Sequence, residues 1–250
     1  MARRRFFVRE ISGGQAVIAG EEAHHLTRVL RVEAGQKYEI CDGRNVYLAE
    51  VETARRDAVA FFILETLSTP TPLLEIALHV ALVKFDRLEL LIEKATELGV
   101  ASLVFFEAER SEKGLIRAAP KRLERWERIA REASEQSRRA NLPRIEASVS
   151  LRHVLEADAR CRLLLDEAGE QPPILRALPA DPKAGDRVAV LTGPEGGWTD
   201  REREAIHAAK WQSVSMGAAI LRTETAALAA VAIINAAWAN GLHDDSVSPL

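Results

Sequence analysis

Apolar positions change their rhythm near residue 70. Before it they come in short runs, Arg5 to Val8, Gln15 to Ile18, Lys37 to Cys41, Val46 to Glu52 and Val59 to Leu64, which alternate or run apolar with β-branched or aromatic residues. Asp42-Gly43 supplies a hairpin turn. These runs predict a small β-barrel's worth of strands, interrupted by one helix over Glu21 to Leu30. Ser68-Thr-Pro-Thr-Pro72 carries two prolines and no apolar period, so it marks a linker between expected domains at 1–70 and 73–250. Beyond it strands and helices alternate. Ile76 to Val83 reads as a strand, and Arg87 to Leu98 as a helix with Leu88, Leu91, Ile92, Ala95 and Leu98 on one face, capped by Asp86 and ended by Gly99. Leu103 to Phe106, a helix over Pro120 to Arg139, Leu163 to Leu165 and Val188 to Leu191 continue the pattern, which predicts a parallel α/β sheet.

Two glycine loops stand out in the last quarter, each between an apolar segment and a helix. The first is Gly193-Pro-Glu-Gly-Gly197, after a strand buried on both faces and before a helix whose Thr199 and Glu202 fit a capping box. The second lies around Met216-Gly217, before a helix with Thr223 as N-cap and Asn240-Gly241 as stop. Alone, the first loop is equally an ordinary strand-to-helix turn; two such loops close together favour a ligand site at exposed backbone. Neither has the GxxxxGK[ST] phosphate cradle or the GxGxxG dinucleotide fingerprint, which counts against triphosphate hydrolysis and ordinary dinucleotide binding.

Composition narrows the class. With 250 residues, 47% hydrophobic and 28% charged, the chain has the make-up of a globular protein, with neither a signal peptide nor a membrane span, and is expected in the cytoplasm. Cys41 and Cys161 stand far apart and outside any metal-ligand spacing, so both are expected as small core residues and no metal is expected. A net charge of -3 excludes a uniformly basic nucleic-acid binder, yet between Arg110 and Arg144 eleven Lys or Arg face five Glu. On the helix at Pro120 the apolar stripe is Leu123, Trp126, Ala130, Ala133 and Ser137, with the basic residues largely off it. That face is either a solvated surface laced with Glu or a phosphate-facing one, and the basic excess favours the second.

Leu191-Thr-Gly-Pro-Glu-Gly-Gly-Trp198, Met216-Gly217 and Ile220-Leu-Arg-Thr-Glu-Thr-Ala226 closely resemble the RsmE family of 16S ribosomal RNA uridine N3-methyltransferases, within the SPOUT superfamily. His24-His-Leu-Thr-Arg-Val-Leu-Arg31, Lys84-Phe-Asp-Arg-Leu-Glu89, Lys94-Ala-Thr-Glu-Leu-Gly99, Glu109-Arg-Ser111 and Glu135 to Pro143 match as well, so the likeness runs from end to end. It implies a PUA-like N-terminal β-barrel that binds RNA and a C-terminal SPOUT-type parallel α/β domain, with a deep trefoil knot over about residues 188–240 that binds S-adenosylmethionine. The alanine-rich segment from Thr225 to Ala239 reads as a core helix or a dimer helix; the resemblance favours a homodimer that uses it, and implies 16S RNA of the small ribosomal subunit as partner.

On that resemblance the donor site comprises Leu165, Leu191, Thr192, Gly193, Pro194, Gly196, Gly197, Met216, Gly217, Ile220, Leu221 and Thr225. Arg222 is expected to stabilise negative charge on the uracil, and Glu195 either orients the base or ribose or serves as a structural ion pair or loop cap. RNA contacts are expected from Arg3, Arg4, His25, Arg28, Arg31, Lys84, Arg110, Arg125, Arg138 and Arg139. For His24 and His25 a helix cap or packing pair outweighs a catalytic role. Rival readings are a SPOUT enzyme acting on another base or a ribose, a noncatalytic RNA-binding assembly factor and a small-molecule nucleotide enzyme.

Overall fold

The computed structural model describes residues 4–68, 72–167 and 170–244, with side chains to residue 240. Arg3 and most of the expected linker, residues 69–71, lie outside the described residues. The chain divides into two compact units, residues 1–70 with 131–142, and residues 71–130 with 143–250.

In the first unit β1 (Arg5–Phe7), β2 (Ile11–Ser12), β3 (Gln15–Ala19), α1 (Glu21–Arg28), β4 (Lys37–Cys41), β5 (Val46–Ala54) and β6 (Ala58–Leu67) follow in order. They build one six-stranded sheet, order β1-β4-β5-β6-β3-β2, antiparallel except for the β1–β4 pair. Alternation decides which side chains go inside: Ala16 and Ile18 of β3 are buried while Gln15, Val17 and Ala19 are exposed. The core gathers Phe6, Ile18, Leu26, Ile40, Val51 and Phe61. Beside it, Glu39 accepts from Arg5 Nη2 at 2.8 Å and pairs with Arg138, whose carbonyl accepts from Arg5 Nη1.

The second unit runs β7 (Leu74–Ala81), α2 (Phe85–Glu97), β8 (Ser102–Glu107), α3 (Leu115–Ala118), α4 (Leu123–Gln136), β9 (Arg144–Ser150), α5 (Leu151–Leu155), β10 (Cys161–Leu165), α6 (Ile174–Ala177), β11 (Asp186–Thr192), α7 (Asp200–Ala208), β12 (Gln212–Val214) and α8 (Thr223–Asp244); residues 131–136 of α4 belong to the first unit. All six strands pair in parallel, in the order β12-β10-β11-β7-β8-β9. The apolar strands are buried on both faces. Val188 and Val190 join one layer with Leu88, Leu91, Trp126, Ile234 and Trp238, while Ala189 and Leu191 join the other with Phe106, Trp198, Ile206 and Trp211. The predicted stripe on α4 is inward, with Trp126 edge-on to Phe105 at 4.9 Å. Cys41 and Cys161 are free and buried, as core residues should be.

Several local expectations need correction. Helix α2 starts at Phe85 after Lys84 with no side-chain cap, and Asp86 sits in its first turn, where its charge still complements the helix dipole. Thr223 is the first residue of α8 and its hydroxyl is committed to another loop; the helix continues through Asn240-Gly241 to Asp244. Strand β9 escapes notice because its positions are only half-buried at the sheet edge. The Thr199/Glu202 capping box forms as expected, and Glu202 also accepts from the Glu109 amide at 2.8 Å.

His79 on β7 is 6% exposed, edge-on to Trp211, and neither ring nitrogen has a hydrogen-bond partner among the described residues. Burial pushes its imidazole from 6.5 down to about 4, helped by the charges of His153 and Arg144. The unfolded chain therefore takes the proton first as pH falls, so stability holds above about 6.5 and declines toward about 4. Urea melts of His79→Phe should lose this acid slope, worth on the order of 3 kcal/mol between pH 7 and 4; an unchanged slope would assign the acid sensitivity to other groups.

Candidate functional site

The carboxyl ends of β10, β11 and β12 open into a cleft of about 540 Å³, the place where parallel α/β sheets bind ligands. Its walls are the segments that follow those strands: Leu165 to Glu167, Thr192 to Glu195 with Gly197 and Trp198, and Ser215 to Thr223. Thr223 Oγ1 donates to the Gly193 carbonyl at 3.0 Å, so the start of α8 is tied to the first glycine loop.

Glycine is required in that loop for space as well as conformation. A Cβ on Gly193 would lie 2.7 Å from Trp198 Nε1, and Trp198 is held by stacking on Phe106 at 6.0 Å. At Gly196 the Cβ would meet Arg110 Cβ at 3.0 Å, while Arg110 Nη1 donates to the Gly196 carbonyl at 3.0 Å. Gly197 and Gly217 adopt φ of 68° and 116°, strained for any other residue. In the second loop Gly217 N donates to Ser215 Oγ at 3.1 Å.

The cleft brings together Leu165, Thr192, Gly193, Pro194, Glu195, Gly197, Met216, Gly217, Ile220, Leu221 and Arg222. Three expected donor residues are not among its lining: Leu191 is buried in the apolar layer, Gly196 backs onto Arg110, and Thr225 is exposed on α8. Asp166, Glu167 and Arg203 line it too, without having been anticipated. Asp166 is buried and paired with Arg203; the signal for it was a carboxylate directly after the apolar run of β10. Arg222 lies at the rim, and Glu195 forms an ion pair with Arg87 of α2.

The expected RNA-contacting cations divide into two groups. Arg4, Arg31 and Lys84 are exposed, as is His25, and Arg28 stands on the same helix as His25. Others are engaged within the protein. Arg125 makes a bidentate pair with Glu89 at 2.6 and 2.7 Å, holding that carboxyl below its usual range. Arg110 grips Gly196 and Arg138 pairs with Glu39. Arg139 is half-buried, and burial pulls its guanidinium down to about 10. Nearby, Glu135 Oε1 accepts from the Phe7 amide at 3.3 Å, and burial raises its carboxyl to about 7. Among the described residues no cluster of three or more His, Cys, Asp or Glu could hold a metal, and no helix is long and apolar enough to cross a membrane.

Comparison with known proteins places both units. Residues 69–235 match the family model of the RNA methyltransferase domain, and residues 18–64 that of the RNA methyltransferase PUA domain. A Bacillus subtilis protein named ribosomal RNA small subunit methyltransferase E is 33% identical over 227 residues, covering 87% of this chain and 88% of its own. A putative methyltransferase from Legionella pneumophila, solved with the bound cofactor SAM, superposes with a TM-score of 0.85 at 29% identity, over 95% of this chain and 98% of that one. The Neisseria gonorrhoeae ribosomal RNA small subunit methyltransferase E, bound to S-adenosyl methionine, gives 0.82 at 28% identity, over 95% and 98% of the two chains. A likeness that runs through both units and includes the strands and loops of the cleft makes this chain a member of the RsmE family of ribosomal RNA small subunit methyltransferases.

Proposed function

We propose that this protein transfers the methyl group of S-adenosylmethionine to N3 of a uridine in 16S RNA of the small ribosomal subunit, working in the cytoplasm as a homodimer. The observation that carries this reading is the cleft: two glycine loops at the carboxyl ends of parallel strands, tied by Thr223 to Gly193, with Arg222 on the rim. In support, the Bacillus subtilis relative is named a small-subunit RNA methyltransferase, and two structural neighbours were solved holding this cofactor.

The residues present fit that cofactor. A volume of about 540 Å³ lies inside the span of small-molecule sites, about 300–1,000 Å³. Backbone groups of residues 193–197 and 216–221 can meet adenine and ribose without a charged side chain, and Leu165, Met216, Ile220 and Leu221 offer apolar contact. Glu167 adds a carboxylate to the wall, and Asp166 and Glu195, paired with Arg203 and Arg87, keep the lining from being basic. When bound, the cofactor supplies a methyl group already activated on a sulfonium. What remains for the protein is to align the uracil and manage one proton. Arg222 stabilises negative charge on the uracil as N3 gives up its proton, and Glu195 orients the base or ribose.

Three further elements belong to the same reading. A deep trefoil knot over about residues 188–240 is supported by β11 lying between β7 and β10 while β12 returns beyond β10. A dimer through α8 is supported by its outward Thr225, Ala232 and Ala236 and by Ile220, an apolar side chain left 83% exposed. RNA contact is supported by Arg4, His25, Arg28 and Arg31 on the first unit, which carries the PUA match, and by Lys84 on the second.

Unmodified small subunits incubated with labelled S-adenosylmethionine should yield N3-methyluridine on nucleoside mass spectrometry. A different methylated nucleoside would overturn the target atom, and no transfer to subunits or naked RNA would overturn the enzyme reading. Gly193→Ala, which drives a methyl into Trp198, should weaken cofactor binding by calorimetry at least about ten-fold, equivalent to about 1.4 kcal/mol; unchanged affinity would remove the first loop from the donor site. Arg28→Gln with Arg31→Gln should lower the log–log salt slope of RNA binding by about two, one for each phosphate left without its guanidinium. A slope equal to that of the parent would take α1 out of the RNA surface.

A further inference from the structure

Arg87, in the first turn of α2, stands between a carboxylate of the cleft wall and a buried one at the start of α8. Its Nη1 pairs with Glu195 Oε1 in the first glycine loop, and its Nε lies 4.0 Å from Glu224 Oε1 in the first turn of α8. The two acids differ sharply in environment: the Glu195 side chain is 52% exposed and that of Glu224 is 8% exposed. Glu224 Oε2 has no hydrogen-bond partner, and Arg87 is the one cation within ion-pair distance of Glu224 among the described residues. A buried carboxylate so poorly hydrogen-bonded needs a nearby positive charge, and a guanidinium supplies one that pH does not remove. Arg87 Nε thus faces the buried Glu224 carboxylate at ion-pair distance, while its Nη1 reaches the loop.

Glu195, by contrast, sits between Pro194 and Gly196-Gly197 at an exposed loop tip, where an untethered side chain would sample many rotamers. We infer that Arg87 is a positioning residue, which holds the Glu195 carboxylate at the mouth of the cleft, and that Glu224 is the buried charge that keeps Arg87 in place. The pair engages Glu195 Oε1. Glu195, Glu224 and Arg87 together keep one net negative charge beside a site fitted to a cationic donor. The kinetic consequence rests on the methyltransferase reading above; the mechanical one does not.

The test is a double-mutant cycle on the full chain with Arg87→Met and Glu195→Gln, together with Arg87→Lys and Glu224→Gln, read by two independent measurements. In kinetics each single change should lower kcat on small-subunit RNA about ten-fold and leave the calorimetric Kd for S-adenosylmethionine within about three-fold; the double variant should be no worse than about ten-fold, because both changes remove one interaction. In hydrogen exchange without RNA, the Gly197 amide, which donates to the Pro194 carbonyl at 2.9 Å, should exchange about ten-fold faster in both single variants and no faster in the double. Arg87→Lys should recover part of both effects. Glu224→Gln, which removes the anchoring charge and keeps its shape, should change both in the direction of Arg87→Met and stands in for it if that variant does not fold. Singles that multiply in the double, or Gly197 exchange unaltered by loss of the Arg87 or Glu224 charge, would overturn the inference. A wild-type protein that methylates no RNA would remove the proposed function alone, since the exchange measurement decides the role of Arg87 without activity.

Discussion

The close approach of Gly193 to the Trp198 indole is the constraint on which the cleft depends. With no side chain at Gly193 the loop folds over a ring that is itself immobilised on Phe106. That position presents the Gly193 carbonyl to the Thr223 hydroxyl. Thr223 opens α8, and α8 is locked to the sheet through Ala227, Ala230, Val231, Ile234 and Trp238. A backbone-lined cleft is thus supported by close-packed core on both faces of the sheet, which is how exposed main chain stays ordered enough to present its polar groups in fixed directions.

Charge is organised by the same economy. The eleven basic residues between Arg110 and Arg144 suggest a broad phosphate-binding face when read along the chain. In three dimensions Arg125 is matched to Glu89, Arg138 to Glu39, and Arg110 to a glycine carbonyl. Two of those guanidiniums are therefore answered by carboxylates at short range, and Arg28 and Arg31, outside that segment, are exposed to a polyanion. In the cleft the charges are also matched, Asp166 by Arg203 and Glu195 by Arg87, beside Glu167 and Arg222.

Acid residues also show why burial and charge must be weighed together. Glu135 is raised to about 7 chiefly by burial, although Arg131 lies close enough to oppose the shift. Glu89 is lowered because Arg125 hydrogen-bonds it at a solvated position. For Glu135 desolvation wins, and for Glu89 the direct bond does.

By itself the sequence determined the local grammar: two-sided apolar strands, the inward stripe of α4, the capping box at Thr199, and the glycine loops with the resemblance they carry. Each of these is a statement about one residue and its near neighbours, and periodicity or turn chemistry reports it directly. Only the tertiary structure decided who meets whom. Glu39 and Arg138 are 99 residues apart, Arg110 and Gly196 are 86 apart, and Thr223 turns from an expected cap into a tie between loops. The half-buried edge strand β9 and the continuation of α8 past Asn240-Gly241 were likewise outside local reach, since sheet pairing and helix packing override weak propensities. A side chain's partner depends on the strand order that brings distant elements together, and no short stretch of chain contains that order.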